Sequence, residues 1–115
     1  MAASSRPLDD LFGDLSPDPD RPADLPPGVA EMEVGTFTDG GLESGVWTCS
    51  IGAWNEKDAA AEVMLILEGH VRVTGVDGAV AEARAGEMLQ IPAGWSGRWE
   101  VLEPVRKVWV IAGDA

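Results

Sequence analysis

From residue 29 onward the chain is a series of short β-prone segments separated by turns that contain glycine, spaced eight to twelve residues apart. This spacing is typical of β-sandwiches and β-barrels, and no long helical periodicity interrupts it. With 115 residues there is room for one domain with one core. The sequence therefore predicts an all-β domain over residues 29–115, with strands at 30–37, 42–51, 62–67, 70–74, 80–83, 88–91, 97–102 and 106–112.

The clearest turn signal in this series is Asp77–Gly78, which lies between two β-prone segments. A two-residue type I′ turn requires a positive φ at both central positions, and Asp and Gly tolerate that conformation. We therefore expect a tight β-hairpin here, with Asp77 and Gly78 at its tip.

One segment, residues 63–67, is apolar at every position, with the sequence Val-Met-Leu-Ile-Leu. A strand with one face in water should alternate between polar and apolar residues, so both faces of this strand need cover. The interior of a closed barrel would cover one face, and a second copy of the chain would cover the other. The sequence thus predicts a homodimer.

The first 28 residues differ from the rest, being rich in proline and aspartate and poor in β-branched residues. Such a segment cannot form a core of its own. A short helix around residues 7–12 is still predicted, with Ser5 as its cap, because four apolar residues share one helical face: Leu8, Leu11, Phe12 and Leu15. We expect this N-terminal arm to pack on its own barrel or on a partner subunit; the alternative is a docking peptide for another protein.

The chain carries 20 acidic and 8 basic residues, a formal net charge of −12. This charge should repel nucleic acid and anionic membranes, and no apolar segment approaches the roughly 20 residues that span a bilayer. Cys49 is the only cysteine, which excludes an intrachain disulfide, and we interpret it as a buried structural residue rather than a catalytic thiol. We therefore expect a cytoplasmic protein that binds neither nucleic acid nor membranes.

Two segments carry a resemblance to a known fold family. In residues 62–69 a glutamate and a glycine are separated by six residues, and residues 86–94 hold a glycine turn, a strand and then Pro-Ala-Gly. They resemble the second half of the first cupin motif and the first half of the second, at a separation that suits the hairpin between the motifs. The resemblance implies a cupin double-stranded β-helix, which is a jelly-roll barrel.

A narrower resemblance is carried by residues 45–49, 62–69, 91–97 and 99–107. These pieces look like the small DUF861-like cupins related to (S)-ureidoglycine aminohydrolase and to ethanolamine-utilisation cupins. The resemblance covers about residues 30 to 112 and does not reach the arm. For the aminohydrolase, it implies a metal-dependent carbon–nitrogen hydrolase.

Metal-binding cupins use a His-x-His pair, a glutamate, and a histidine in the second motif. The matching positions in this chain are Glu56 and Asp58 (or Asn55 and Lys57 with a longer spacer), Glu62, and Gly97. Without imidazole or thiolate ligands we expect no tightly bound transition metal. Glu56, Asp58 and Glu62 are candidates for a weakly bound hard divalent cation; alternatively, Glu56 and Asp58 lie on a solvated loop. The single histidine, His70, shares a face with Arg72, so we expect it to be exposed.

Strand alternation puts Glu62, Met64 and Ile66 on one face, which we expect to line the barrel lumen. Burial would raise the pKa of the Glu62 carboxyl and make it a candidate general acid or base, with Lys107 as its counter-charge. A purely structural Glu62–Lys107 pair is the equal alternative.

Five tryptophans are many for a chain of this length. Trp99 and Trp109 should fill the core, whereas Trp54 and Trp95 lie near expected loops at the barrel mouth and are candidates for ligand contact. Trp54, Trp95, Trp99, Gln90, Glu56 and Asp58 are the predicted pocket residues. Three functions stay open: a small-molecule enzyme such as a carbon–nitrogen hydrolase, a binding or sensing protein, and a non-catalytic dimeric scaffold. We favour a small-molecule enzyme or binder that acts in the lumen without a tightly bound transition metal.

Overall fold

The computed structural model of the protein describes residues 3–37 and 42–112. Within these ranges the chain forms an antiparallel sheet of eight strands, preceded by one short helix, α1 (Leu8–Phe12). The strands are β1 (Ser16–Pro17), β2 (Met32–Thr36), β3 (Leu42–Cys49), β4 (Gly52–Glu56), β5 (Glu62–Gly75), β6 (Val80–Arg84), β7 (Met88–Ile91) and β8 (Gly97–Ala112). The all-β prediction is confirmed.

Two long strands, β5 and β8, organise the sheet because each belongs to both of its halves. The first half of β5 pairs with β7 and with the last half of β8, which continues through β3 to β2 and β1. The second half of β5 pairs with β6 and with the first half of β8, which also pairs with β4. The two halves enclose one hydrophobic core, as expected for a jelly-roll barrel.

The sequence predicted a break in each long strand, but the structure shows continuous strands that bend. The register of β5 against β8 shifts between Ile66 and Val71. Gly69 has a φ of +94°, and a side chain there would collide with the carbonyl oxygen of Pro104. The two backbones touch at a bulge that requires glycine, and the ladder resumes beyond it. The predicted interruptions were therefore wrong.

Strand β4 is absent from the sequence prediction, which treated this segment as a loop. It pairs with the first half of β8, so that Trp54 lies opposite Trp99 and Glu56 lies opposite Gly97. The segment Gly-Ala-Trp-Asn-Glu contains no β-branched residue, and this explains why no strand was expected. The strand forms because β8 offers it a partner edge.

The hairpin at Asp77–Gly78 forms, but its turn differs from the prediction. The Gly78 amide donates to the Gly75 carbonyl oxygen at 2.8 Å, and the Gly75 amide donates to the Ala79 carbonyl oxygen at 2.9 Å. Gly78 has a φ of +86°, whereas the φ of Asp77 is not positive. This is a three-residue loop with a glycine bulge rather than a type I′ turn, because only one position takes the left-handed conformation.

Helix α1 lies where a short helix was predicted, but its start differs. Pro7 precedes the first helical residue, and no side chain caps the helix, so the capping role expected of Ser5 is wrong. Pro7 fits this place because proline's fixed φ suits a helix start and its missing N–H is not needed there. With five residues, the single helix in the described ranges is too short to cross a bilayer.

The N-terminal arm packs around strand β2. Helix α1 lies on the outer face, where a side chain on Gly35 would meet the Leu11 carbonyl oxygen at 2.9 Å and Val46 at 3.2 Å. The Phe12 ring lies 4.0 Å from the guanidinium carbon of Arg106. Strand β1 then pairs with β2, and the residues after it reach the barrel lumen. The arm is therefore part of the packed domain.

His70 is buried, contrary to the expectation of an exposed side chain. It is 7% exposed, and its Nε2 lies 3.7 Å from a carboxylate oxygen of Glu82. It sits at the irregular part of β5, where the register against β8 shifts on either side of it and Glu103 is its partner. The bulge folds this residue into the bend, which simple strand alternation could not predict.

Candidate functional site

A cavity of about 640 Å³ opens into the barrel, within the usual range for small-molecule sites. Its wall is formed by strands β2, β3, β4, β5 and β8, by the loop after β4, and by the arm residues Asp18, Pro19, Asp20 and Pro22. The first half of β5 supplies Glu62, and the last half of β8 supplies Lys107, Trp109 and Ile111. Of the three residues predicted to line the lumen, Glu62 lines the cavity, whereas Met64 and Ile66 are fully buried in the core.

Glu62 and Lys107 form an ion pair at the base of this cavity. Lys107 Nζ donates to Glu62 Oε2 at 2.7 Å, and the two side chains are 6% and 17% exposed respectively. The same ammonium lies 3.6 Å from the sulfur of Met64. Removing either partner of a pair so shielded from water would be costly, because the remaining charge would be buried without compensation.

Three indole rings, those of Trp47, Trp54 and Trp99, pack against one another and form what we call the tryptophan box, and two of them, Trp47 and Trp99, contact the Lys107 ammonium. Trp54 stacks on Trp99 with ring centroids 5.6 Å apart and an interplanar angle of 9°. Trp47 lies at a tilt to both rings, with centroids 6.2 and 6.3 Å away. Lys107 Nζ is 4.4 Å from the Trp47 centroid and 4.9 Å from that of Trp99, which are cation–π distances.

Trp47 was not among the predicted site residues. In the structure it lies on β3 directly opposite Lys107 of β8, so the register of that pair brings the two together. A signal was available in each strand, since both residues sit on lumen-facing positions. However, their contact could not be predicted without knowing that β3 and β8 are neighbouring strands.

Glu56 lies at the end of β4 and is half-buried in the cavity wall. Burial raises the pKa of its carboxyl above the ordinary value, and the neighbouring Glu62 carboxylate raises it further. The Lys107 ammonium and the Trp99 indole N–H act in the opposite direction, and Asp20 adds a smaller upward effect. Two carboxyl groups therefore share the lumen in different electrostatic surroundings: Glu62 is bound to an ammonium and Glu56 is not.

The N-terminal arm contributes directly to the site, although the sequence resemblance did not extend to it. Asp18 Oδ2 accepts a hydrogen bond from Trp47 Nε1 at 2.9 Å and so fixes one ring of the tryptophan box. Arg21 secures the segment that follows, donating to the carbonyl oxygens of Ala30, Pro26 and Val29 at 3.1, 2.8 and 2.8 Å. These contacts hold the arm against the cavity mouth.

The remaining predicted pocket residues lie at or outside the rim. Asp58 lines the cavity mouth but is exposed, with a φ of +54°, and its amide donates to Ser96 Oγ at 3.0 Å. Trp95 is half-buried against the core and does not line the cavity. Gln90 is exposed on β7, outside the lumen. The structure thus brings Trp54, Trp99, Glu56 and Glu62 together and leaves Trp95 and Gln90 apart.

The residues at the cupin metal positions do not fit a metal centre. A side chain at position 97 would collide with the Thr74 carbonyl oxygen and approach the Trp95 ring to 2.5 Å, so this place cannot hold a ligand. The Glu62 carboxylate is engaged by the Lys107 ammonium. Among residues 3–37 and 42–112, no three His, Cys, Asp or Glu side chains are grouped as a metal site requires.

Cys49 is buried in the core, as predicted. Burial raises the pKa of its thiol to about 12, and the nearby Lys107 ammonium lowers it only in part. Since a thiolate is the nucleophilic form of cysteine, this residue is not an activated nucleophile.

Among solved structures, the chain resembles a protein of unknown function from Rhizobium leguminosarum, with 19% identity over 99% of this chain and 100% of that one and a TM-score of 0.71. A putative ethanolamine utilization protein Q from Salmonella typhimurium LT2 matches with 19% identity over 74% of this chain and 72% of that one, at a TM-score of 0.66. A DUF861 family protein from Thermotoga maritima matches with 36% identity over 56% of this chain and 73% of that one, at a TM-score of 0.53.

No curated protein matches the chain. The family described as EutQ-like cupin domain matches residues 29–109, which cover all the strands from β2 to β7 and most of β8. The chain therefore belongs to the EutQ-like cupin family.

Proposed function

We propose that the protein binds a small organic molecule in the barrel lumen, between the tryptophan box and the Glu62–Lys107 pair. The observation that carries this proposal is the cavity of about 640 Å³, in which the indole rings of Trp47, Trp54 and Trp99 lie beside fixed charged groups. Most small-molecule sites have this combination, because apolar walls supply affinity and a few fixed polar groups supply orientation. A barrel that served only as a scaffold would gain stability by filling this space.

Glu62 and Lys107 are the proposed polar contacts. Lys107 Nζ lies 2.7 Å from Glu62 Oε2, so a ligand beside this pair can accept a hydrogen bond from Lys107 and donate one to Glu62. If a reaction occurs in the lumen, these two groups are the proposed proton acceptor and donor.

The proposed site works without a tightly bound transition metal, because its residues lack the imidazole and thiolate ligands that such ions require. Elemental analysis of the purified protein tests this statement. We expect manganese, iron, nickel and zinc well below one ion per chain. One equivalent of any of them would contradict the proposal and support the alternative, a metal-dependent carbon–nitrogen hydrolase.

Binding itself is tested by screening a library of small metabolites against tryptophan fluorescence. Three of the five tryptophans form the box, so a ligand in the lumen should change the emission in a saturable manner. The Glu62→Gln variant should weaken binding of any hit about tenfold, by loss of one charge-assisted hydrogen bond.

Glu68→Gln is the matched control, since Glu68 lies on the same strand but is exposed and pairs with Arg106. It should bind every hit as the unmodified protein does. A library without a single saturable hit, or hits that Glu62→Gln binds unchanged, would remove the lumen as the binding site.

A further inference from the structure

Beyond the presence of a ligand, the charges and rings of the cavity specify what kind of molecule it takes. We propose that the ligand is a small organic cation, held by its ammonium group between the tryptophan box and the carboxylates at the cavity mouth. This inference rests on the proposed function, since it assigns a chemical class to the ligand of the same site.

The first argument is the sign of the charge in the cavity wall. Six carboxyl groups line it, from Asp18, Asp20, Glu43, Glu56, Asp58 and Glu62, against the two ammonium groups of Lys57 and Lys107. Lys107 and Glu62 neutralise each other. Asp20, Glu56 and Asp58 form no ion pair with any residue in the described ranges. Concave walls concentrate the field of such groups, so the cavity attracts cations and repels anions.

The second argument is the tryptophan box, which already holds one alkylammonium group. Lys107 Nζ approaches the faces of Trp47 and Trp99 at 4.4 and 4.9 Å. Trp54 also lines the cavity, stacks on Trp99 and is only half-buried. An aromatic surface beside carboxylates is the combination that selects organic cations over neutral molecules of the same shape.

A third observation points to a second contact on the ligand. The indole N–H of Trp109 is buried in the wall without a hydrogen-bond partner among the described residues, whereas the indole N–H of Trp99 is directed at the Glu56 carboxyl. An unpaired buried donor is costly, and an acceptor atom on the bound molecule would satisfy it after a small shift of the ring. The cation is therefore expected to carry an oxygen as well as its ammonium group.

Binding of a cation should also couple to the proton on Glu56. Its carboxyl faces Glu62 on β5, Lys107 and Trp99 on β8, and Asp20 on the arm. A bound ammonium beside this group stabilises its ionised form and displaces the proton. Affinity for the cation should thus rise with pH through the titration of Glu56, whereas affinity for a neutral molecule should not.

The test uses three probes of one shape and different charge: choline, 3,3-dimethylbutan-1-ol and 3,3-dimethylbutanoate. Each is titrated into the full-length protein at constant ionic strength and followed by tryptophan fluorescence. We expect choline to bind about tenfold more tightly than the neutral alcohol, and the anion more weakly still. Calorimetry in two buffers of different ionisation enthalpy should show proton release on choline binding.

Single substitutions test which residues cause the preference for choline. Glu56→Gln should weaken choline binding several-fold, abolish proton release and flatten the pH profile, and it should change the affinity for choline far more than the affinity for the alcohol. Trp54→Leu should weaken choline binding by a similar factor. Glu33→Gln is the matched control, because Glu33 is an exposed carboxylate of β2 outside the cavity, and it should change nothing.

Equal or tighter binding of the alcohol or the anion would overturn the cation assignment while leaving lumen binding intact. Choline binding that neither Glu56→Gln nor Trp54→Leu alters would also overturn it. Absence of binding by all three probes would also overturn the cation assignment, and the metabolite library then decides independently whether the lumen binds anything.

Discussion

Strands β5 and β8 present two faces that are built from neighbouring residues yet differ in almost every property. On the inner face, Met64 and Ile66 are fully buried and Lys107 is paired with a carboxylate. On the outer face, Leu65 is 37% exposed, and Met88, which lies opposite it on β7, is 67% exposed. Both faces are apolar in sequence, but within the described residues only the inner face is fully closed by the chain itself.

The outer face is covered in one place and open in another. Where it meets β2 and β3, helix α1 covers it, and Val46 is fully buried there. Farther along, at Leu65, Met88 and Val110, nothing in residues 3–37 and 42–112 covers it. The arm therefore completes part of the barrel's outside and also part of its cavity, and the uncovered remainder is where we place the predicted homodimer contact.

The largest difference between the faces should be in the unfolding free energy that is lost when one large aliphatic side chain on each face is replaced by alanine. Ile66→Ala should lose about 2–5 kcal/mol of unfolding free energy, because Ile66 has no exposed surface and leaves a cavity. Leu65→Ala should lose less than about 1 kcal/mol. Urea denaturation at a concentration below that of self-association measures both. Equal losses would show that the outer face is as tightly packed as the core.

The next largest effect concerns the charges of the inner face. Lys107→Met should cost roughly 2–3 kcal/mol, somewhat below the value for fully buried pairs because Glu62 keeps some contact with water. The double variant Lys107→Met with Glu62→Gln should recover much of this loss. Arg72→Gln, which breaks the outer pair with Glu100, should have a much smaller effect that disappears in high salt. Thermal denaturation of the four proteins would refute this ranking if Arg72→Gln were the more harmful change.

The open part of the outer face can be tested through the oligomeric state. We expect sedimentation at micromolar concentration to give twice the 12.1 kDa mass of one chain. Leu65→Asp should raise the dissociation constant at least about tenfold, because it would bury a charge in the contact. Val76→Asp is the control, since Val76 is exposed at the tip of the β5–β6 hairpin, away from this surface. A monomer mass for the unmodified protein would contradict the homodimer.

The smallest effect should be the pH dependence that Glu56 contributes. Its carboxyl has a raised pKa in the folded protein, so the folded state holds the proton more tightly than the unfolded state. Ionising it costs stability, and this cost grows as pH rises from the ordinary value of 4.5 and is complete above the raised pKa. Glu56→Gln should therefore be more stable than the unmodified protein at neutral pH, by less than about 1 kcal/mol.

This advantage of Glu56→Gln should disappear on acidification below the ordinary value. Melting temperatures measured across the pH range provide the test, with Glu33→Gln as the exposed control. An advantage that stayed constant with pH would mean that Glu56 affects stability through packing rather than through its charge.

Much of the fold was predictable because strand signals are local. Alternation placed Glu62 and Lys107 on inward faces, and the glycines at 69, 86 and 94 have the positive φ values expected of sharp turns. The bends within β5 and β8 were read as breaks, since a bulge and a loop have similar local sequences. Strand β4 was not predicted because it forms by pairing with β8, a segment distant in the sequence.

The site was predictable only in part, for the same reason. Glu56, Glu62 and Trp99 were identified from motif positions and alternation. Trp47 and Asp18 were not, since they join the site through the pairing of β3 with β8 and through the path of the arm. His70 was misplaced because its burial arises from the bulge.

By itself, the sequence determined the all-β class, the cupin resemblance, the lack of histidines at the metal positions and the inward carboxylate. These depend on residue type and on spacing along one strand, both of which can be read locally. The tertiary structure alone decided that Lys107 contacts two rings of the tryptophan box and that the arm forms part of the cavity wall. Those contacts join residues far apart in the chain, and only the order and register of the strands determine which of them meet.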